Sequence, residues 1–335
     1  MKIVLFDPYS QKFTQDMKEW WEAHGHEVLY DRYYNPRLIH EGCDVVWFDT
    51  CDNNIASATN PGVAIIADDA NYRPWDIHDM DLSKTQVVCR PIDIEVWQGH
   101  QGNVKCDVVD DCIFIAPHIR KEFNPGDTGA MRFHNIPCGV NLDRYSFKER
   151  KPGFDIAVIS ERWISKGTDL ILQVALKLQK IDPRYKIHWL GQRSDYQWEH
   201  AYFDEFIEHH NLNIEITNVL LDGETVDHWL EDKNYLLHAS HKEAFSYATA
   251  EAMAKGIKPV LHRFYGADAL WPDMTWSSVD EAIGMITSEN YNSNMYLNFL
   301  KEQGYTLDQM MEKIMEVISG RKAKYSSLGT CDGLC

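Results

Sequence analysis

Short runs of consecutive apolar residues recur along this chain, separated by stretches with helical spacing. IVLF (residues 3–6), EVLY (27–30), DVVWF (44–48), VAIIA (63–67), TQVVC (85–89) and DCIFIA (111–116) form a first series. Between the first two runs, Phe13, Met17, Trp20, Trp21 and His24 recur at helical spacing, and Gly25 ends that helix. Uninterrupted apolar runs suit strands covered on both faces, and parallel strands need crossover connections of helical length. The expected fold class is α/β, built of doubly wound, Rossmann-like layers.

The pattern stops over residues 137–154, PCGVNLDRYSFKERKPGF, a stretch of turn formers and charge. It then restarts with DIAVIS (155–160) and a helix whose Leu170, Ile171, Val174, Ala175 and Leu178 share one face. KIHWLG (186–191), NIEIT (213–217), NYLLHAS (234–240) and PVLHR (259–263) continue the alternation, and residues 280–286 and 307–318 read as helices. This predicts two Rossmann-like domains, residues 1–148 and 149–320, and a flexible tail over 321–335. The expected site lies in a cleft between the domains, outside the carboxyl ends of the strands.

Charge narrows the partners. Residues 1–150 carry 15 basic and 24 acidic side chains, a balance of −9 that leaves −9 for the rest of the net −18. Neither part offers a broad basic footprint, which argues against nucleic acid and against a general field toward anionic membranes. A local peripheral membrane contact stays open. No run approaches the roughly 18 apolar residues of a membrane span. The opening MKIVLFDPYS lacks the features of a secretory signal, so a cytoplasmic location is expected. The eight cysteines form no C-x2-C pair and read as buried free thiols of a reducing compartment.

The chemistry concentrates in SHKEAFSYATAEAMAKGIKP, residues 240–259. Glu243 reads as an exposed acid ahead of a helix, Ser246 as its N-cap, Glu251 as an acid on it, and Gly256 as its left-handed stop. A helix N-terminus is a ready anion site. Spacing alone proves nothing, because Glu19/Glu27 and Glu281/Glu289 repeat it. A second loop, ERWISKGTDL, places Arg162 and Lys166 before an N-cap-like Thr168, where two cations fit a departing diphosphate. Asp7, Asp49, Asp68 and Asp69 stand at strand ends, where Asp commonly caps a following helix. The adjacent pair Asp68–Asp69 best fits hydroxyl recognition. There is no G-x-G-x-x-G after the first strand and no G-x4-G-K-[ST], which removes dinucleotide and P-loop readings.

The ordered strings IPCGVNLDRY, ISERWISKGTDLILQVA and SHKEAFSYATAEAMAKGIKPV resemble the retaining nucleotide-sugar transferases of glycosyltransferase family 4, over roughly residues 136–261. The resemblance implies the GT-B fold and transfer of a sugar from a nucleoside diphosphate to an acceptor hydroxyl of a glycan, lipid or small molecule. It also implies a metal-independent front-face mechanism with no cofactor. Arg162 and Lys166 match the diphosphate-holding pair, and Glu243 the acid on the donor-sugar hydroxyls. Glu251 matches the acid on the ribose. Phe245, Ser246 and Tyr247 match the loop whose amides approach sugar and phosphate, with Gly139 and Gly191 in the surrounding motifs. Ser246 stands where the family has glycine, Glu161 and Cys138 replace further motif residues, and Tyr9 replaces part of a glycine-rich loop. Asp68 falls near a usual sugar-facing histidine, so Tyr9, Asp68 and Asp69 are placed on the acceptor or sugar side. The alternatives are a noncatalytic sugar-nucleotide binder, a sugar phosphorylase of the same fold, and a transferase acting on modified DNA bases.

Overall fold

A computed structural model describes residues 1–8, 14–51, 53–59, 77–124, 130–193, 196–218 and 223–325. The expected strand over residues 63–67 lies outside this set. The first sheet contains β1 (Lys2–Phe6), β2 (Glu27–Asp31), β3 (Val45–Asp49), β4 (Gln86–Arg90), β5 (Asp111–Phe114) and β6 (Arg132–Asn135). Its order is β2-β1-β3-β4-β5-β6, and every pairing is parallel. The apolar runs explain the central strands: Ile3, Val4, Leu5 and Phe6 are fully buried, as are Val46, Trp47 and Phe48. β6 was not foreseen because its sequence, RFHN, has no apolar run and its side chains alternate between half-buried and exposed at the sheet edge.

The second sheet contains β7 (Asp155–Ile159), β8 (Lys186–Leu190), β9 (Ile214–Thr217), β10 (Tyr235–His238), β11 (Lys258–His262) and β12 (Thr275–Trp276). It runs β12-β11-β10-β7-β8-β9, again all parallel. Taken from its first strand, this is the doubly wound Rossmann order, and the connectivity reverses between β7 and β10. The helices that follow β7 and β10 matter most for function: Thr168–Ile181, with Ile171, Val174 and Leu178 buried as the spacing predicts, and Tyr247–Ala254.

The chain divides into two compact units, residues 1–137 with 307–335, and residues 138–306. This differs from the expected division at both ends. The turn-rich segment after Pro137 belongs to the second unit, where hydrogen bonds replace periodicity as the organising force. Arg150 donates to the carbonyls of Lys255, Glu231 and Lys233. The last helix, Leu307–Tyr325, belongs to the first unit: Leu307, Met310, Met311, Ile314 and Ile318 join the core of Ile3, Leu5, Trp21 and Trp47. Its helical period was legible; which sheet it covers is a tertiary choice. That helix also extends past residue 320, where the tail was expected to begin, and residues 326–335 lie outside the described set.

Cys51, Cys89, Cys106, Cys112 and Cys138 are buried free thiols, and Cys43 is half-buried. No described helix is long and apolar enough to cross a membrane.

One buried acid predicts a pH effect. Glu95 is 1% exposed and accepts the backbone N–H groups of Ile92 (2.5 Å), Asp93 (3.2 Å) and Cys51 (3.4 Å). Burial outweighs those bonds and pushes its carboxyl up to about 7. An acid raised in the folded state contributes stability that is fully present below its unfolded value and lost as pH rises through the folded one. Wild-type melting temperature should therefore fall between about pH 5 and 8, by a stability on the order of 1–3 kcal/mol. Glu95→Gln should flatten that decline; an identical slope in the variant would refute the assignment.

Candidate functional site

The loops after β7 and β10 leave the second sheet where its connectivity reverses, the position at which open α/β sheets bind ligands. Two glycines bring these loops together. A Cβ on Gly167 (φ +68°) would stand 2.0 Å from the Ala239 carbonyl oxygen, so only glycine lets the first loop close against the second. The backbone N–H of His241 then donates to the Ser165 carbonyl at 3.0 Å. Gly191, at the end of β8, plays the same part for the neighbouring turn: with φ +151°, its added Cβ would meet the Ser160 oxygen at 2.0 Å. Gly139 is buried beside Val140, which pairs with Thr306.

Lys166 and Glu243 meet across these loops. Lys166 Nζ donates to Glu243 Oε2 at 3.0 Å, and the two side chains are 25% and 17% exposed. Glu243 is therefore a largely buried acid, not the exposed one expected, because the loop folds back over its own strand end. His238, the last residue of β10, places Nε2 3.4 Å from the same Oε2. Burial alone would raise the Glu243 carboxyl; the Lys166 charge and the donors from His238 and Lys166 overcome it and hold the group well below the usual carboxylate range.

Arg162 has a different environment. Its residue is 8% exposed, its Nε is buried with no hydrogen-bond partner among the described residues, and its Nη2 donates to Asn218 Oδ1 at 3.4 Å. Asn218 also accepts the Arg193 backbone N–H at 3.0 Å, while the Arg193 guanidinium pairs with Asp204. Burial first, and then the Arg193 charge, lower the Arg162 pKa from its ordinary value. Among the described residues none forms an ion pair with this guanidinium, and Asp204 only partly offsets the burial; a cation buried in this way costs several kcal/mol.

The helix after β10 begins at Tyr247, and Ser246 occupies its N-cap position with φ 73° and ψ 77°. The expected side-chain cap is not formed; the Ser246 hydroxyl bonds Thr249 Oγ1 at 2.7 Å instead. Ser246 thus adopts the left-handed conformation for which a glycine is the natural residue. Gly256 ends the helix as the sequence predicts, with φ +78° and the paired bonds Gly256 N–H to Met253 O and Ile257 N–H to Ala252 O. Ser246→Gly should be near neutral, since roughly 1 kcal/mol of relieved backbone strain offsets a hydroxyl bond of similar size. Ser246→Ala keeps the strain and loses the bond, so it should cost about 1 kcal/mol by denaturant titration. Equal stabilities for the two variants would count against this account.

Phe245 is 2% exposed and packs at 5.3 Å from Trp271 and 5.1 Å from Tyr305, so its side chain is core and only its backbone faces the loop. Trp271 Nε1 fixes the Phe245 carbonyl at 2.9 Å. Tyr247 is half-buried beside Phe245. Glu251 Oε1 accepts the hydroxyl of Tyr145, a residue of the IPCGVNLDRY string, at 2.9 Å. Tyr9, Asp68 and Asp69 lie outside the described residues. Among those that are described, no group of three or more His, Cys, Asp or Glu side chains is placed to hold a metal ion. Sequence reasoning missed His238 and Asn218. His238 sits inside an apparent core run, and Asn218 follows a strand with no motif around it.

No protein-family model matches the chain, nor does any curated protein sequence. Solved structures do resemble it. HepE from Anabaena, in complex with UDP, aligns with a TM-score of 0.67 at 14% identity, over 96% of this chain and 100% of that one. Sucrose-phosphate synthase from Thermosynechococcus elongatus aligns at 0.66 and 12% identity, over 98% and 100%. The pneumococcal O-GlcNAc transferase GtfA, in complex with UDP and GlcNAc, aligns at 0.57 and 14% identity, over 82% and 56%. With two all-parallel, Rossmann-like units in one chain and neighbours of this kind along nearly its full length, the fold is GT-B.

Proposed function

We propose that this chain is a retaining glycosyltransferase that moves a sugar from a nucleoside diphosphate to an acceptor hydroxyl, with UDP as the first nucleotide to test. The observation that carries this reading is Arg162: a buried guanidinium whose Nε has no hydrogen-bond partner among the described residues, four residues before Lys166 in the loop that meets Glu243. A diphosphate supplies the ion-pair partner that no described residue gives this cation. The UDP-containing neighbours support the choice of base.

Arg162 and Lys166 stabilise the charge that develops on the leaving diphosphate, and Glu243 orients the sugar through its hydroxyls. The acceptor oxygen bonds the anomeric carbon on the face from which the phosphate oxygen departs. That phosphate oxygen takes the acceptor proton, so the configuration is retained without a protein nucleophile. The reaction needs no metal or cofactor, and the free thiols suit a cytoplasmic protein.

Titration calorimetry with UDP, followed by product detection with UDP-, GDP- and ADP-sugars in the presence and absence of EDTA, tests this directly. UDP should bind, and one UDP-sugar should yield a product of retained configuration. Glu251→Ala, removing the ribose contact, should weaken UDP binding about tenfold, the scale of a lost hydrogen bond to a charged group. Unchanged UDP affinity in that variant would remove Glu251 from the site, and no binding of any nucleotide to the wild type would overturn the proposal.

A further inference from the structure

The Lys166–Glu243 contact poses a problem for the reaction just proposed, on which this inference rests. Lys166 donates to Glu243, yet a diphosphate would draw the same ammonium. Its long side chain stands on a loop and is 25% exposed, so it can turn. When it does, Glu243 loses the donor that stands 3.0 Å from its Oε2.

The other donor is built differently. His238 ends β10, an inner strand paired to β7 and β11, with His238 itself in register with Leu261. Its side chain is 8% exposed, and its ring lies 6.0 Å from that of Phe264. Its Nδ1 is buried with no hydrogen-bond partner among the described residues, and Nε2 is the nitrogen that faces Glu243. The 3.4 Å contact falls on the same Oε2 that Lys166 reaches at 3.0 Å. Two donors on one oxygen fix a carboxylate's orientation, and only one of them belongs to the rigid sheet.

We infer that His238 is a positioning residue: its Nε2–H holds Glu243 against the sugar while Lys166 passes to the diphosphate. The inference requires coupling between His238 and Glu243 in the protein and a larger effect on turnover than on nucleotide affinity.

Both are measurable. Melting temperatures of His238→Leu, Glu243→Gln and the double variant form a cycle that needs no substrate. The double variant should melt at least about 2 °C above the additive expectation, the shift that a 1 kcal/mol coupling gives in a domain of this size. Additive melting overturns the pairing. With a UDP-sugar, His238→Leu should lower kcat about tenfold, as expected for one lost hydrogen bond to a charged group, and leave the Kd for UDP unchanged. His238→Gln, which keeps a donor near the Nε2 position, should recover most of that loss. Unchanged kcat in His238→Leu, or a loss matched by UDP affinity, overturns the positioning role. If the wild type turns over no nucleotide sugar, the proposed function falls, and the melting cycle still decides whether His238 and Glu243 act as a pair.

Discussion

Lys166→Met should lower turnover of a UDP-sugar about a thousandfold, because in the proposed reaction the lost cation stabilises charge that appears only as the diphosphate leaves. The same substitution should also destabilise the second unit. It takes the 3.0 Å cationic donor from a Glu243 carboxylate that stays largely buried. Fully buried pairs broken in this way cost about 3–5 kcal/mol, and the partial exposure of both side chains brings the expectation to about 2. The pH dependence separates the two effects. In the wild type the depressed carboxyl contributes stability that is present above its unfolded pKa and lost only as pH falls through its low folded value. In Lys166→Met, burial raises the carboxyl instead, so the variant gains on the wild type as the solution is acidified. The gap in melting temperature should be widest at neutral pH. Lys166→Met with Glu243→Gln should recover stability without recovering turnover. Near-normal turnover in Lys166→Met would sink the diphosphate role.

Gly191→Ala, a single hydrogen replaced by a methyl group, should be severely damaging. Its Cβ would lie 2.0 Å from the Ser160 oxygen, 2.6 Å from its carbon and 3.2 Å from the Glu161 nitrogen, all backbone atoms unable to rotate away. The φ of +151° adds strain for any L side chain. A loss on the order of 4 kcal/mol, or failure of the second unit to fold, is expected. Gly25→Ala is the control. It also has a positive φ, +78°, but nothing stands within 4 Å of the new atom, so only about 1 kcal/mol should be lost. Comparable losses at the two positions by chemical denaturation would show that the close approach to Ser160 is not what matters.

The sequence was legible where burial writes a pattern. IVLF, DIAVIS and KIHWLG became inner strands, and Gly256 closed its helix with the expected pair of backbone bonds. It was silent where long-range partners decide. RFHN pairs as a strand because β5 offers it an edge, and the segment carrying Arg150 is ordered by carbonyls far along the chain. Glu243 looked exposed because its neighbours are polar; its loop's return over β10 buries it. Ser246 was a cap by residue type, and the backbone conformation overruled that. No local signal could reveal that Arg162 is buried with no ion-pair partner among the described residues, since that depends on everything packed around it.

The last helix has a consequence for the order in which the molecule is made. Residues 138–306 form one uninterrupted segment, so the second unit has all its parts once Thr306 has left the ribosome. The first unit begins earlier and finishes later: its core lacks Leu307, Met310, Met311, Ile314 and Ile318 until those residues are synthesised. The apolar face of Ile3, Leu5, Trp21 and Trp47 must therefore wait through the synthesis of the entire second unit before its cover arrives. The half of the chain translated first is the half completed last.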